Sequence, residues 1–400
     1  MFVNYRTLNE IFRGFHIQRW NDRIRPMDLI EIDKHSHKML IAYILAKYEE
    51  NKTSINWPNL ILFGIFELLR RIAISDIKSP IYAEITKRPE VFKKLNEFVF
   101  KKYSAIFEEA LLLDEFHKFL FETNNYDSFE LRLLNAAHIY ASIWEFKIIE
   151  NANPGNYQIE KIRRELDNRM SPYNDLSGIQ KLSDPFPIKH FVDLFGYLRF
   201  QYRWAQLPRV PKTSVLGHSL LVAIISYFFA RQNGACVKRL YNDFFGGLFH
   251  DLPEAVTRDI ISPVKRSSPE LDELIKNLEQ ELAIAEIYPL LEPEWIDEIK
   301  YFTIDEFNNK ITRDGNIIFI DTVDEMNLLY NSEVYNPFDG SLIKAADNLA
   351  AFLEVWNSCN AGIRTEEMSF AAESIKEQYT GKKFGEIEFS EIYEHFKNPC

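Results

Sequence analysis

One sequence pattern occurs twice in this chain, and the distance between its two occurrences limits the architectures that the chain can adopt. Residues 64–80 read GIFELLRRIAISDIKSP and residues 247–263 read GLFHDLPEAVTRDIISP, and seven of these seventeen positions are identical without a gap. His35 and His218 are separated by the same 183 residues. Because this period is far too long for a solenoid of short repeats, it indicates a duplicated domain.

The repeat continues on both sides of this segment. The pair Arg19-Trp20 recurs as Arg203-Trp204, with an offset one residue longer than that of the first alignment. Towards the C-terminus, LLNAAHIYASIWEF at 133–146 resembles LIKAADNLAAFLEV at 342–355, with an offset of 209 residues. The second occurrence is therefore longer than the first between its motifs.

The repeat predicts the domain organisation. We call residues 1–170 copy one and residues 190–400 copy two, and we expect residues 171–189, which are rich in Ser, Pro and Gly, to be the linker between them. Since paired domains commonly pack symmetrically, we expect the two copies to form an internal pseudo-dimer. Such a pairing reduces the need for a homo-oligomer but does not forbid one.

The apolar residues recur mainly at helical spacing, for example in HKMLIAYILAKYEE at 37–50 and HSLLVAIISYFFARQ at 218–232. In FNNKITRDGNIIFI at 307–320, β-branched residues alternate around Asp314-Gly315, which is typical of a β-hairpin. This segment lies in the additional length of copy two. We expect an all-α fold with a small hairpin inserted in copy two.

Composition excludes several classes of protein. The hydrophobic content of 46% suffices for a large core, and we expect no membrane span because no long apolar run lacks charges. We expect no signal peptide because the N-terminus has no basic segment followed by a long apolar region. The net charge of −12 disfavours general binding to nucleic acid. Three widely spaced cysteines are typical of a reducing compartment, so we expect a cytoplasmic protein.

Copy two contains a set of residues with the chemistry of metal ligands: His218, His250, Asp251 and Asp347. Two imidazoles and two carboxylates suit one Mn²⁺, Fe²⁺, Co²⁺ or Zn²⁺ ion, whereas Mg²⁺ prefers oxygen ligands alone. Such an ion lowers the pKa of a bound water into a useful range.

Neighbouring residues leave alternatives open at this site. Asp321 and Asp324 are rival carboxylate ligands. Glu254 would share a helical face with His250 and is suited to hold or deprotonate a water. However, Pro253 interrupts this segment, and we expect it to kink or end a helix in which the ligands should lie.

Three segments of copy two resemble those of the HD-domain phosphohydrolases, and more closely the bacterial 5′-deoxynucleotidase branch. They are RWAQLPRVPKTSVLGHSL at 203–220, HDLPEAVTRDIISPVK at 250–265 and KAADNLAAFLEV at 344–355. The family order of a His, a His-Asp pair and a distant Asp is present, although that branch has a single domain. The resemblance covers roughly residues 195–375.

The resemblance implies a role for each matching residue. The metal ligands would be His218, His250, Asp251 and Asp347, with the carboxylates of Glu254 and Asp259 near the attacked phosphate. Arg203 would contact the phosphate and Trp204 would lie against the sugar or base. In the reaction that we expect, Arg203 and Lys265 would offset the charge on the phosphate oxygens.

Copy one offers His35, Glu67, Leu68 and His138 at the four ligand positions. Leu68 has no ligand atom, and Arg71, which stands at the position of Glu254, would oppose a bound cation. We therefore expect copy one to be a degenerate scaffold. The alternative is a regulatory site in which Arg19, Arg71 and His35 bind a nucleotide phosphate.

These observations predict a metal-dependent phosphohydrolase that acts on nucleoside 5′-monophosphates, including deoxynucleotides. One alternative is an HD hydrolase of another nucleotide, such as a deoxynucleoside triphosphate, a cyclic nucleotide or an alarmone. A second is a catalytically idle protein that binds a nucleotide or a partner.

Overall fold

The structure of this chain is a computed structural model, which describes residues 3–75, 77–122, 128–182, 186–258 and 268–396. Helices contain most of these residues and the strands are short, so the predicted all-α fold is confirmed. Two predicted site residues, Asp259 and Lys265, lie outside the described ranges.

The helices and strands follow one another in two series. The helices that end before residue 190 are α1 (Tyr5–Phe12), α2 (Glu31–Glu49), α3 (Trp57–Ile74), α4 (Ser79–Thr86), α5 (Pro89–Ser104), α6 (Ala110–Phe121), α7 (Phe129–Ala152), α8 (Tyr157–Met170) and α9 (Ser177–Lys181). Those that follow are α10 (Pro187–Tyr197), α11 (Val215–Gln232), α12 (Val237–Phe249), α13 (Glu254–Thr257), α14 (Pro269–Leu282), α15 (Ile296–Thr303), α16 (Val323–Glu325), α17 (Gly340–Asn360), α18 (Glu366–Tyr379) and α19 (Phe389–Glu394). The strands are β1 (Gln18–Arg19), β2 (Leu29–Ile30), β3 (Asn309–Arg313), β4 (Asn316–Phe319), β5 (Phe338–Asp339), β6 (Lys383–Phe384) and β7 (Ile387–Glu388).

The repeated sequence adopts repeated local structure. Helices α2, α3 and α7 of copy one carry the segments that correspond to those on α11, α12 and α17 of copy two. Trp20 and Trp204 both have left-handed backbone conformations, with φ of 54° and 56°, which tryptophan rarely adopts. The guanidinium groups of Arg25 and Arg209 donate to the backbone carbonyls of Arg19 and Arg203, respectively. The two copies thus share backbone detail that a chance match of letters would not produce.

The two copies share one hydrophobic core. Helix α2 packs against α11 and α3 packs against α12, and one continuous cluster of buried side chains includes residues from both copies. Polar contacts cross the same boundary, such as the bond from Nε2 of His37 to the carbonyl of Val192, at 2.9 Å. The expected arrangement as a pseudo-dimer remains a prediction, as do the domain boundaries.

The predicted linker is packed against the body of copy one. Part of it forms α9, and a Cβ atom on Gly178 would lie 2.6 Å from Cδ2 of Leu45 on α2. Ile179 of the same short helix is buried. This segment therefore contributes to the core as well as joining the two copies.

The predicted hairpin is present in copy two. Strands β3 and β4 pair antiparallel around Asp314 and Gly315, whose φ angles of 51° and 77° are those that a tight two-residue turn requires. Strand β5 pairs with the other side of β3. This small sheet joins the loop after α15 to the beginning of α17.

Helix α11 is the one described helix that is long and apolar enough to cross a membrane. However, 89% of this 18-residue segment is buried inside the protein. Such burial makes this helix weak evidence for a membrane span.

Candidate metal centre

Three helices of copy two bring the predicted ligands together. His218 lies in the first turns of α11, which begins after the N-cap residue Ser214. His250 is the C-cap residue of α12, and Asp251 lies in the turn that follows. Asp347 lies on α17. Because α11 packs against both α12 and α17, these side chains converge.

His218, His250 and Asp347 form the centre of the site, and we call them the ligand triad. Each offers one ligand atom, and these atoms all lie within 4.8 Å of one another. Nε2 of His218 is 3.1 Å from Oδ1 of Asp347. His218 is fully buried, His250 is nearly so, and Asp347 is partly accessible, as a site that admits a substrate from one side requires.

Asp251 lies beside the triad. Its Oδ2 is 3.2 Å from Nε2 of His250, yet neither atom makes a well-aligned hydrogen bond, although both are buried. Burial raises the pKa of Asp251, but the nearby His250 and Arg203 outweigh this effect and hold that pKa below its ordinary value. Buried polar atoms without a hydrogen-bond partner are costly, so they fit a site that binds an ion. The donor set of imidazole and carboxylate suits a borderline divalent metal.

Glu354 is a residue of the site that the sequence interpretation missed. Its carboxylate is fully buried, and its Oε1 accepts a hydrogen bond from Nδ1 of His218 at 3.2 Å. Its Oε2 accepts a bond from the indole of Trp204 at 2.8 Å. A carboxylate behind a ligating histidine fixes the orientation of the ring, with Nε2 directed at the metal. A signal was available, because the repeat aligns Glu354 with Glu145.

Arg203 contacts the carboxylates of the site from the other side. Its guanidinium nitrogens lie 3.6 Å from Asp251, 3.8 Å from Asp347 and 3.4 Å from Glu354. Only 15% of its side chain is exposed. The structure therefore brings Arg203 to the site, while its predicted contact with the phosphate stays a prediction.

Trp204 is half-buried and packs against the core. Its indole N–H donates a hydrogen bond to Glu354, so this N–H already has a partner within the protein. The predicted contact with a sugar or base stays a prediction and would involve the face or edge of the ring.

Lys344 and Phe307 complete one side of the site, and neither had been assigned a role from the sequence. Nζ of Lys344 donates to Oδ2 of Asp347 at 2.9 Å and lies 4.1 Å from the centroid of the Phe307 ring. That ring is 6.2 Å from the ring of His250. Phe307 belongs to the loop before β3, so the insertion in copy two forms part of the site.

Pro253 affects the local structure in a way that corrects one expectation. Helix α12 ends at Phe249, and the short helix α13 begins at Glu254 with Pro253 as its N-cap residue. The expectation that His250 and Asp251 lie inside a helix is wrong, because a proline three residues after His250 cannot supply the hydrogen bond that would continue α12.

The remaining predicted residues have different outcomes. Glu254 is buried, and its backbone carbonyl accepts a bond from Gln201 at 3.0 Å, while its catalytic role stays a prediction. Asp321 and Asp324 are exposed and do not belong to the ligand triad. Asp259 and Lys265 lie outside the described residues.

In copy one, two lysines occupy the corresponding region. Nζ of Lys34 lies 3.0 Å from both ring nitrogens of His138, and the ammonium of Lys38 contacts Glu67. Both lysines are buried. His35 is turned away, with Nε2 donating to the carbonyl of Gly64 at 2.8 Å. The residues at three of the four ligand positions are thus bonded within the protein.

The arginines of copy one also have internal partners. Oε2 of Glu31 accepts from Arg19 at 2.7 Å and from Arg71 at 3.2 Å, and Arg19 donates to Glu145 at 2.9 Å. Burial raises the pKa of Glu31, but these guanidinium groups outweigh this effect and lower it. A nucleotide phosphate would have to displace Glu31, so these contacts do not favour the regulatory alternative.

Comparison with known families agrees with this geometry. The family model described as "HD domain" matches residues 195–376. These residues, somewhat less than half of the chain, are thus similar to an HD domain. The match includes all four predicted ligands as well as Glu354 and Lys344, and it supports the prediction of a hydrolase.

Bacterial 5′-deoxynucleotidases are among the curated relatives that this chain resembles. The 5′-deoxynucleotidase of Vibrio atlanticus (strain LGP32) is 23% identical over 203 residues, which are 50% of this chain and 89% of the relative. That of Vibrio vulnificus (strain YJ016) is 22% identical over 211 residues, with the same coverage. Among solved structures, an HD-domain phosphohydrolase from Listeria innocua covers 52% of this chain and 89% of its own, with 16% identity and a TM-score of 0.39.

Proposed function

We propose that this protein is a metal-dependent phosphohydrolase that removes phosphate from nucleoside 5′-monophosphates, with deoxynucleotides among its substrates. The observation that carries the proposal is the convergence of His218, His250 and Asp347, with Asp251 beside them. The relatives named 5′-deoxynucleotidase support the substrate class.

We assign the metal to the ligand triad and Asp251. A Mn²⁺, Fe²⁺, Co²⁺ or Zn²⁺ ion held there would supply Lewis-acid activation of water and of the phosphate. Glu354 holds the His218 ring in the orientation that leaves Nε2 available. The four residues thus form an anionic site that binds the ion through side chains from three elements.

Cationic side chains would bind the phosphate. Arg203 offers a planar guanidinium that can donate two parallel bonds to phosphate oxygens. Lys344 has 34% of its side chain exposed and would add a point charge on the opposite side of Asp347. Both charges would stabilise the oxygens that gain negative charge during in-line displacement.

Proton transfer requires a carboxylate near the phosphate. We propose Glu254 or Asp259 for this role, with Lys265 as an additional cation, on the basis of the family resemblance. Glu306 is a further carboxyl group near the site. Its pKa is raised by burial, while His250 has a smaller opposing effect.

The first test is metal content by elemental analysis, with the wild type compared with Asp251→Ala and with Asp321→Ala. Asp321 is the matched control because it is an exposed carboxylate outside the triad. We expect about one Mn, Fe, Co or Zn per chain in the wild type and in Asp321→Ala, and none in folded Asp251→Ala. Absence of metal after reconstitution of the wild type would refute the proposal, and two ions per chain would show that copy one also binds one.

The second test is a substrate panel with the metal-loaded protein. It should contain ribo- and deoxynucleoside monophosphates, deoxynucleoside triphosphates, cyclic nucleotides and alarmones. We expect phosphate release from the monophosphates and a loss of turnover of at least about 1000-fold in Asp251→Ala. Faster hydrolysis of another class would replace the proposed substrate, and no hydrolysis of any class would favour a binding protein.

A further inference from the structure

One polar contact between copy one and the helix that carries His218 lies at the beginning of that helix; another, between Arg231 and Glu115, lies at its far end. Asp33, in the first turn of α2, accepts a hydrogen bond through Oδ1 from the hydroxyl of Ser214 at 2.5 Å. Asp33 is 3% exposed and Ser214 is fully buried, so no water competes for this bond. The contact links residues 181 positions apart.

Ser214 determines how α11 begins. Its hydroxyl oxygen accepts a bond from the backbone N–H of Gly217 at 2.9 Å, and its carbonyl accepts one from the backbone N–H of His218 at 3.0 Å. A serine that caps a helix in this way satisfies backbone groups which the first turn leaves without partners. Since the hydroxyl proton is donated to Asp33, the carboxylate fixes the rotamer in which the serine caps the helix.

The two helix beginnings are in tight contact. A Cβ atom on Gly217 would lie 2.7 Å from Oδ1 of Asp33, 2.7 Å from Cε1 of Phe15 and 2.9 Å from Cγ2 of Ile32. All three neighbours belong to copy one. The first turn of α11 therefore rests directly against copy one, immediately before His218.

We propose that Asp33 is a positioning residue for the metal centre, so that copy two completes its ligand geometry only with a side chain from copy one. This inference rests on the proposed metal site. Asp33 fixes the rotamer of Ser214, and Ser214 fixes the first turn of α11. That turn sets the position of the His218 ring relative to Asp347 and Glu354. Leu216 stands at the position of copy two that corresponds to Asp33, and its side chain cannot accept a hydrogen bond. Copy one therefore supports copy two through this contact, and copy two does not support copy one in the same way.

The experiment measures the affinity of folded protein for Mn²⁺ and Zn²⁺ by competition with a chromophoric chelator. Asp33→Leu removes the acceptor, whereas Asp33→Asn keeps an acceptor oxygen. We expect about 10-fold weaker metal binding in Asp33→Leu, at the lower end of effects for residues that support metal ligands, and binding within about twofold of wild type in Asp33→Asn. Glu31→Gln is the matched control, because Glu31 is also a buried carboxylate in the first turn of α2. Its partners Arg19 and Arg71 both belong to copy one.

A double-mutant cycle separates positioning from general loss of stability. Ser214→Ala should weaken metal binding to a similar degree, and adding Asp33→Leu should cause little further loss, because both changes remove one bond. If Asp33→Leu does not fold, the comparison of Ser214→Ala with Glu31→Gln decides. Equal metal affinity of wild type, Asp33→Leu and Ser214→Ala would overturn this inference alone, whereas a wild type that binds no metal would overturn the proposed function.

Discussion

The candidate metal centre of copy two and the corresponding region of copy one differ most in the side chains that contact the predicted ligand positions. Copy one has Lys34 and Lys38 on α2, whereas copy two has Gly217 and Leu221 at the matching positions of α11. These lysines contact His138 and Glu67, which stand at the positions of predicted ligands. Burial lowers the pKa of both lysines, that of Lys38 to about 7. The difference teaches that polar residues at such positions can find partners within the protein, when neighbouring lysines contact them.

The hydrogen bonds between the Arg-Trp pair and the buried glutamate are present in both copies. The indole of Trp20 donates to Glu145 at 3.0 Å, as that of Trp204 donates to Glu354 at 2.8 Å. An arginine precedes each tryptophan and contacts the same glutamate. These contacts tie the loop before one helix to a distant helix, so they stabilise the fold in either copy, whatever chemistry remains.

The strongest test of this comparison replaces the same residue in the two copies. His218→Ala should lose the bound metal and at least about 1000-fold in turnover, because it removes one ligand. His35→Ala should keep metal content and turnover, with some loss of stability from the bond to Gly64. Elemental analysis and steady-state kinetics check both. Loss of metal in His35→Ala would contradict our assignment of a single centre.

A second pair concerns the buried glutamates. Glu354→Gln should weaken metal binding by about 10- to 100-fold, since it removes the charged partner of His218. Glu145→Gln should leave metal binding intact but lower the free energy of unfolding by about 3 kcal/mol, because buried Arg199 loses its carboxylate partner and Arg19 keeps only Glu31. Chelator competition and chemical denaturation measure the two effects. The comparison is contradicted if both variants weaken metal binding, or if both change only the free energy of unfolding.

The smallest expected effect concerns substrate affinity. Lys344→Met should raise KM for a nucleoside monophosphate by about 10-fold, with a smaller change in kcat, because a phosphate contact is lost while the ligands remain. Asn135→Met is the control, since Asn135 is the exposed residue at the matching position of copy one. An unchanged KM in Lys344→Met would remove Lys344 from the phosphate site.

The sequence predicted the helical class and the hairpin, and both are confirmed, because each rests on a local signal: helical spacing, or Asp314-Gly315 between alternating residues. The residues of the ligand triad were named from His and Asp residues in a family order. Their convergence in space agrees with the resemblance, although their roles as ligands remain proposals.

The residues that were missed depend on packing between distant segments. Phe307 reaches the site because β3 pairs with β5 next to α17, and no local pattern shows that pairing. The chemistry of Lys344 is visible only once its ammonium is seen beside Asp347. Similarly, Pro253 indicated a helix end, but the division into α12, a turn and α13 required the structure.

The lysines of copy one have a consequence for what its folding depends on. An ion can be exchanged or chelated, whereas a lysine side chain is covalently attached and stays with its helix. The contacts of Lys34 and Lys38 therefore do not depend on the supply of a metal. Because α2 packs directly on α11, the helix that carries His218 rests on a helix whose buried contacts are independent of any ion.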